Sequence, residues 1–164
     1  MNNVYYSAGD MLVVLPPKNA SSSIKASLGL GDWIPREKAV ELNSLYTIGV
    51  IRHPLERVVS ALYTVLMEAT PFSERLRKWR HDSHVRPQAP AFDGIRVDWW
   101  LHVERLQWDW EALRQFRDLP ALPHRNIGSR INGRPSDWRD ACDWSEFMPL
   151  YEKDFALCSG WKRP

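Results

Sequence analysis

The chain has 164 residues, 44% of them apolar and 26% charged, with nine tryptophans and a formal charge of +2. That length suits one compact domain with a real core and not two, so residues 1–164 are read as a single domain. So small a charge gives no argument for nucleic acid, no stretch approaches the ~20 apolar residues of a membrane span, and the N-terminal MNNVYYSAGD lacks the basic and apolar regions of a signal peptide. The expectation is a cytoplasmic protein that binds neither nucleic acid nor membrane. Its two cysteines, Cys142 and Cys158, match no metal spacing and are expected as thiols rather than a disulfide.

In chain order, residues 11–16 read as a short, fully buried strand that stops at Pro16 and Pro17. A small-residue loop, 17–21, leads into a helix through about Leu30, with Ser21 or Ser22 able to cap it. The stretch from Gly29 to Ser44 is polar and mixed, a loop with a short helical turn. Tyr46–Ile51 is a second buried strand. Pro54 suits the first turn of a helix, and Leu55, Val58, Val59, Leu62, Leu66 and Met67 continue it at helical spacing.

Residues 70–96 hold Pro71, Pro87 and Pro90 and a basic cluster of Arg75, Arg77, Lys78, Arg80, His81, His84 and Arg86. They read as a mobile excursion with one helical turn or two. Val97, Trp99, Leu101 and Val103 then alternate with Asp98, Trp100, His102 and Glu104, the period of a strand. A helix follows from about Asp109 to Arg117, with Trp110, Leu113 and Phe116 on one side. Residues 118–144 read as irregular, and a last helix runs from about Ser145 to Leu157. Strand–helix–strand–helix order predicts an α/β fold with a parallel sheet.

Open parallel sheets take ligands beyond the carboxyl ends of their strands. Two such ends carry basic residues, Lys18 after the first strand and Arg52 at the end of the second. Each precedes a helix N-terminus, which offers N–H groups and positive dipole to an anion. Backbone N–H groups of residues 19–23 with the hydroxyls of Ser21, Ser22 and Ser23 suit one anionic group. Arg52 with Ser60 suits a second through charge-assisted hydrogen bonds. A ligand with two separated anionic groups fits the pattern. Singly, each feature has a plainer reading: a solvated Pro-Lys turn, a structural arginine, a serine cap.

Taken together, the segments resemble the sulfotransferases that use 3′-phosphoadenosine 5′-phosphosulfate (PAPS). PKNASSSI (17–24) resembles their 5′-phosphosulfate loop, Pro-Lys-x-small-small-Ser/Thr-Ser. VIRHPLERVVSALY (50–63) resembles their 3′-phosphate segment, whose Arg-x-Pro-x-x-Arg-x-x-Ser is met at Arg52, Pro54, Arg57 and Ser60. HVRPQ (84–88), VERLQWDWEAL (103–113), LPHRN (122–126) and LYEKDFALCSGW (150–161) are similar to elements of the carbohydrate-type, Golgi-related branch and its bacterial relatives. The resemblance implies a P-loop-like three-layer core, a short parallel sheet flanked by helices. It implies sulfuryl transfer from PAPS to a hydroxyl (less readily an amine) of an acceptor, by family analogy a carbohydrate, without a metal. Lys18, Asn19, Ala20, Ser21, Ser22 and Ser23 would hold the 5′-phosphosulfate, Arg52 and Ser60 the 3′-phosphate. Lys18 would neutralise charge building on the bridging oxygen.

The chain is short for that family, mainly in the acceptor-binding regions. The family often takes its general base from between the two phosphate motifs, where this chain has Asp32, Glu37 and Glu41 and no histidine. A base tuned near neutral pH serves best, and His84, in the family-like HVRPQ, is the leading candidate, with Glu37 and Glu41 as alternatives. His84 bracing its own loop is the plainer reading. Two rivals remain open. A small P-loop kinase would need a Gly-x-x-x-x-Gly-Lys-Ser/Thr that is missing. A non-catalytic module that binds nucleotides or anionic glycans through residues 75–86 would not need Lys18. Trp33 or Trp100 could stack on adenine or a sugar.

Overall fold

The computed structural model describes residues 4–64, 71–123 and 142–159. Among these residues it is an α/β fold with four strands and six α-helices. They form two compact units, Met1–Arg52 with Gln88–Ile127, and His53–Pro87 with Gly128–Pro164. No helix among the described residues is long and apolar enough to cross a membrane.

The first unit is built on one sheet of β1 (Tyr5–Ala8), β2 (Met11–Val14), β3 (Tyr46–Ile51) and β4 (Trp99–His102), in that spatial order. β2, β3 and β4 run parallel, with Val14 opposite Gly49 and Ile51 opposite His102. β1 was not expected: it returns antiparallel to β2 through the two-residue turn Gly9-Asp10. Gly9 supplies the positive φ of 60° that the first central position of such a hairpin requires. The all-apolar β2 is buried along its whole length, as its composition predicts, but it ends at Val14, two residues early. Leu15, just past its end, still bonds in the β1 register, its N–H donating to the Val4 carbonyl at 2.7 Å.

On one side of this sheet Val13, Ile48, Val50 and Leu101 pack with Ile24 of α1 (Ser21–Leu28) and with Trp110 and Leu113 of α5 (Leu106–Arg114). Each such burial contributes roughly 1.5–3 kcal/mol. α1 stops at Leu28 rather than Leu30 because Gly29, at φ 59°, turns its N–H back to the Lys25 carbonyl. α5 starts three residues earlier than the sequence suggests, and Phe116 lies beyond its end. α2 (Arg36–Glu41) is the short helical turn expected in the polar stretch.

In the second unit α3 (Pro54–Thr64) begins at its proline as predicted, while Leu66 and Met67 lie outside the described residues. Its Leu55, Val58, Val59 and Leu62 pack with Phe72 and Leu76 of α4 (Phe72–Trp79) and with Phe147 and Tyr151 of α6 (Trp144–Cys158). Asp143 caps α6, accepting the N–H groups of Ser145 and Glu146. The excursion is more ordered than its prolines and charges suggest. α4 buries Phe72 and Leu76 in this core and sets Arg75 against the Tyr63 ring, 4.4 Å from its centroid, while Arg77 pairs with Glu146 at 2.9 Å on the surface. Cys142 and Cys158 are not joined to each other, and burial pushes the Cys142 thiol up to about 11.

β3 and β4 come close through Gly49. A Cβ there would meet Trp100 Cζ3 at 2.7 Å and Val97 Cγ1 at 2.9 Å, so the tryptophan ring lies on the glycine. Trp100, half-buried, also packs on Phe92, centroids 4.9 Å apart. Gly49→Ala should cost about 1–3 kcal/mol, as overpacking does. Chemical denaturation measures it, and an unchanged midpoint would contradict this close approach.

Candidate functional site

The carboxyl ends of β2 and β3 lie side by side because the strands are parallel partners, and the segments that follow them form the candidate site of the first unit. After β2 the chain passes through Lys18 at φ 67° and Ala20 at φ 54°, both in the left-handed region, while Asn19 between them is not. Two such non-glycine residues cost about 1–3 kcal/mol each. Alternation in the sign of φ is the pattern by which successive N–H groups converge into an anion-binding nest. Ala20 is the N-cap of α1 and makes no side-chain cap bond. The expected cap by Ser21 or Ser22 is therefore not made: both serines, with Ser23, are already the first helical residues. A serine inside the first turn cannot adopt the extended conformation from which a cap hydroxyl reaches back. The helix thus opens without a side-chain cap from its N-cap residue.

Asn19 is fully buried, and its Nδ2 donates to the Val50 carbonyl at 2.8 Å and to Gln88 Oε1 at 2.9 Å. Its side chain thus anchors the loop to β3. Arg52 stands just beyond β3, and its Nη1 donates to the Lys18 carbonyl at 3.1 Å. Burial first, and then the Arg52 charge, hold the Lys18 ammonium below its ordinary pKa. Two cations gathered at one sheet edge is the electrostatic state that an anion relieves.

Gln88 joins these pieces. It is fully buried. Its Oε1 accepts from Asn19 Nδ2 and, at 3.2 Å, from the Arg52 N–H, while its Nε2 donates to the Arg52 carbonyl at 2.7 Å. Sequence reasoning placed Gln88 in a family-like element and weighed it only as the residue against which His84 would brace its loop. The signal was there: an amide side chain in an otherwise apolar or charged run carries both a donor and an acceptor.

The remaining candidates fall elsewhere. Glu37 and Glu41 are exposed on α2 of the first unit, Glu41 paired with Lys38 at 2.9 Å. Trp33 is 45% exposed. Ser60 belongs to the second unit, buried on α3. In that unit Arg57 is fully buried and donates to the carbonyls of His84 at 3.0 Å, Val85 at 3.1 Å and Arg86. Tyr151 donates to the Val85 carbonyl at 2.6 Å. The His84 ring and backbone N–H both meet Asp82 Oδ1, at 2.9 and 2.8 Å. Burial raises the Asp82 carboxyl, but the bonds from His84 and the Arg86 charge outweigh it and hold it below its ordinary value. His53 stands edge-on to Phe155 at 5.4 Å. His124 lies outside the described residues.

One arrangement in the first unit was not foreseen. His102, the last residue of β4, places Nδ1 2.9 Å from Asp109 Oδ2, and Arg105 Nε lies 2.9 Å from Asp109 Oδ1. Burial alone would raise Asp109, yet His102 and Arg105 hold it below the usual carboxylate range. The pair fastens the start of α5 to the sheet.

A lysine whose folded pKa is depressed destabilises the fold while it is charged. That penalty is full below the folded-state pKa and vanishes as the pH rises to ~10.4, where the unfolded chain also loses its proton. Lys18→Met should therefore raise the denaturation midpoint of the ligand-free protein near neutral pH, with the gain shrinking as pH climbs toward ~10.4. A lowered midpoint at neutral pH would mean that the fold itself compensates the charge. Compared with known proteins, the chain matches no family model, no curated protein and no solved structure.

Proposed function

We propose that the protein is a PAPS-dependent sulfotransferase whose donor cradle is a P-loop-like strand–loop–helix, with the first-unit residues Lys18–Ser23 and Arg52 at its centre. The observation that carries this reading is the glycine-free loop between β2 and α1. It sets Lys18 and Ala20 in the left-handed region on either side of Asn19, the alternation of φ that makes an anion-binding nest, directly ahead of the α1 N-terminus. In this reading the backbone N–H groups of residues 19–23 and the hydroxyls of Ser21, Ser22 and Ser23 hold the 5′-phosphosulfate. Arg52 takes the 3′-phosphate.

The transfer forms a bond from the acceptor oxygen to sulfur as the bond between sulfur and the 5′-phosphate oxygen breaks. Negative charge grows on that departing oxygen, and adenosine 3′,5′-bisphosphate leaves. Lys18 answers this charge. An ammonium destabilised in the free protein by burial and by Arg52 gains most where charge develops, which is transition-state stabilisation rather than uniform binding. The acceptor proton passes to a base; of the candidates, Glu37 and Glu41 belong to the same unit as the cradle and His84 to the second unit. A carbohydrate hydroxyl is the acceptor by family analogy.

Adenosine 3′,5′-bisphosphate at a hundredfold excess over its dissociation constant should stabilise the protein by ~2.7 kcal/mol, and 5′-AMP at the same concentration by far less. Equal thermal shifts from the two nucleotides would overturn the assignment. Arg52→Ala should weaken bisphosphate binding by roughly 2–5 kcal/mol, whereas Lys18→Ala should act mainly on single-turnover rate with PAPS. Calorimetry beside those rates separates the two effects. A Lys18→Ala protein that loses binding alone would favour a nucleotide-binding module instead.

A further inference from the structure

Gln88 lies 36 residues after Arg52 and 69 after Asn19 in sequence, yet its one carboxamide bonds to both. It satisfies three buried polar groups. Asn19 Nδ2 and the Arg52 N–H share its oxygen, and the Arg52 carbonyl accepts a hydrogen bond from its nitrogen. Arg52 in turn reaches Lys18 through its guanidinium, so a closed ring runs Lys18–Asn19–Gln88–Arg52–Lys18. The loop after β2 and the residue after β3 are therefore fixed to one another by side chains, just where the backbone ladder between the strands has ended at Val14 and Gly49.

From this ring we infer that Gln88 is a positioning residue that couples the two anion-binding segments, so that the site selects a nucleotide carrying both phosphates over one carrying either alone. The inference rests on the sulfotransferase reading of the same site. A ligand that bridges two rigidly related groups loses its translational freedom once and collects both contacts. If the two segments move independently, the second contact must be assembled at each binding event, and the advantage of the doubly phosphorylated ligand shrinks. Gln88 touches neither phosphate in this scheme. Its substitution should change the ratio of affinities, where a purely structural residue would lower stability and leave the ratio alone.

The experiment measures dissociation constants of adenosine 3′,5′-bisphosphate, 5′-AMP and 3′-AMP by calorimetry for the wild-type protein, Gln88→Leu and Gln88→Glu. Gln88→Leu should reduce the preference for the bisphosphate over each monophosphate by about tenfold or more, a change of ~1.4 kcal/mol per factor of ten. Gln88→Glu guards against a leucine variant that fails to fold. It keeps oxygens for Asn19 and the Arg52 N–H but puts an oxygen against the Arg52 carbonyl. Its preference should be reduced at neutral pH and recover in acid, where the introduced carboxyl regains a proton to donate. A preference that survives both substitutions at neutral pH overturns the inference alone. A wild-type protein that binds the bisphosphate no better than 5′-AMP overturns the reading of the site and the inference with it.

Discussion

Parallel pairing of β2 with β3 is the constraint on which the candidate site depends. Parallel strands finish at the same edge, so the segments that follow them must leave the sheet together. There the ladder stops while the backbone stays buried, and buried N–H and C=O groups need partners. The sequence meets this need with two amides. Asn19 takes the Val50 carbonyl, and Gln88 takes both backbone groups of Arg52. What would otherwise be two loops becomes a side-chain continuation of the sheet, and the cations it carries are fixed because their backbones are.

The second unit treats its motif residues in the same manner. Arg57 lies inside the segment that resembles a 3′-phosphate site, yet it is buried and its guanidinium is occupied by the carbonyls of residues 84–86. Tyr151, in the C-terminal signature, adds a bond to the middle carbonyl. Both side chains hold residues 84–86 of that unit. Several motif positions thus serve as braces for a few others. A guanidinium with five donors in a fixed fork is well suited to gathering successive carbonyls.

The strands and helices with strong internal periodicity were legible in the sequence. β2 announces itself as an uninterrupted apolar run and β3 as a mostly apolar one, α3 by its proline start and 3.6-residue spacing, α6 by length. β1 was missed because Tyr5–Ala8 is short and only half of it is buried, although Gly9-Asp10 is a recognised hairpin order. The order of α4 was less legible because Phe72 and Leu76 alone mark its buried face, and Arg75 meets Tyr63 from a distance that local pattern cannot reveal. At the site, Lys18 and Arg52 were legible as charges after strands. The partners of Asn19, Gln88, Arg57 and Asp109 were not, since a hydrogen bond across dozens of residues leaves no mark on sequence spacing.

The loop between β2 and α1 has no glycine anywhere from Asp10 to Leu28. Glycine enters left-handed backbone freely because it enters every other region freely as well, and that freedom must be lost again whenever the chain is ordered. Lysine and alanine have fewer alternatives. Once the fold has driven Lys18 and Ala20 into those conformations, little remains for the loop to explore. Its configurational entropy is given up when the chain folds rather than each time a ligand arrives, so an anion would meet a cradle already at rest and depart without setting it in motion.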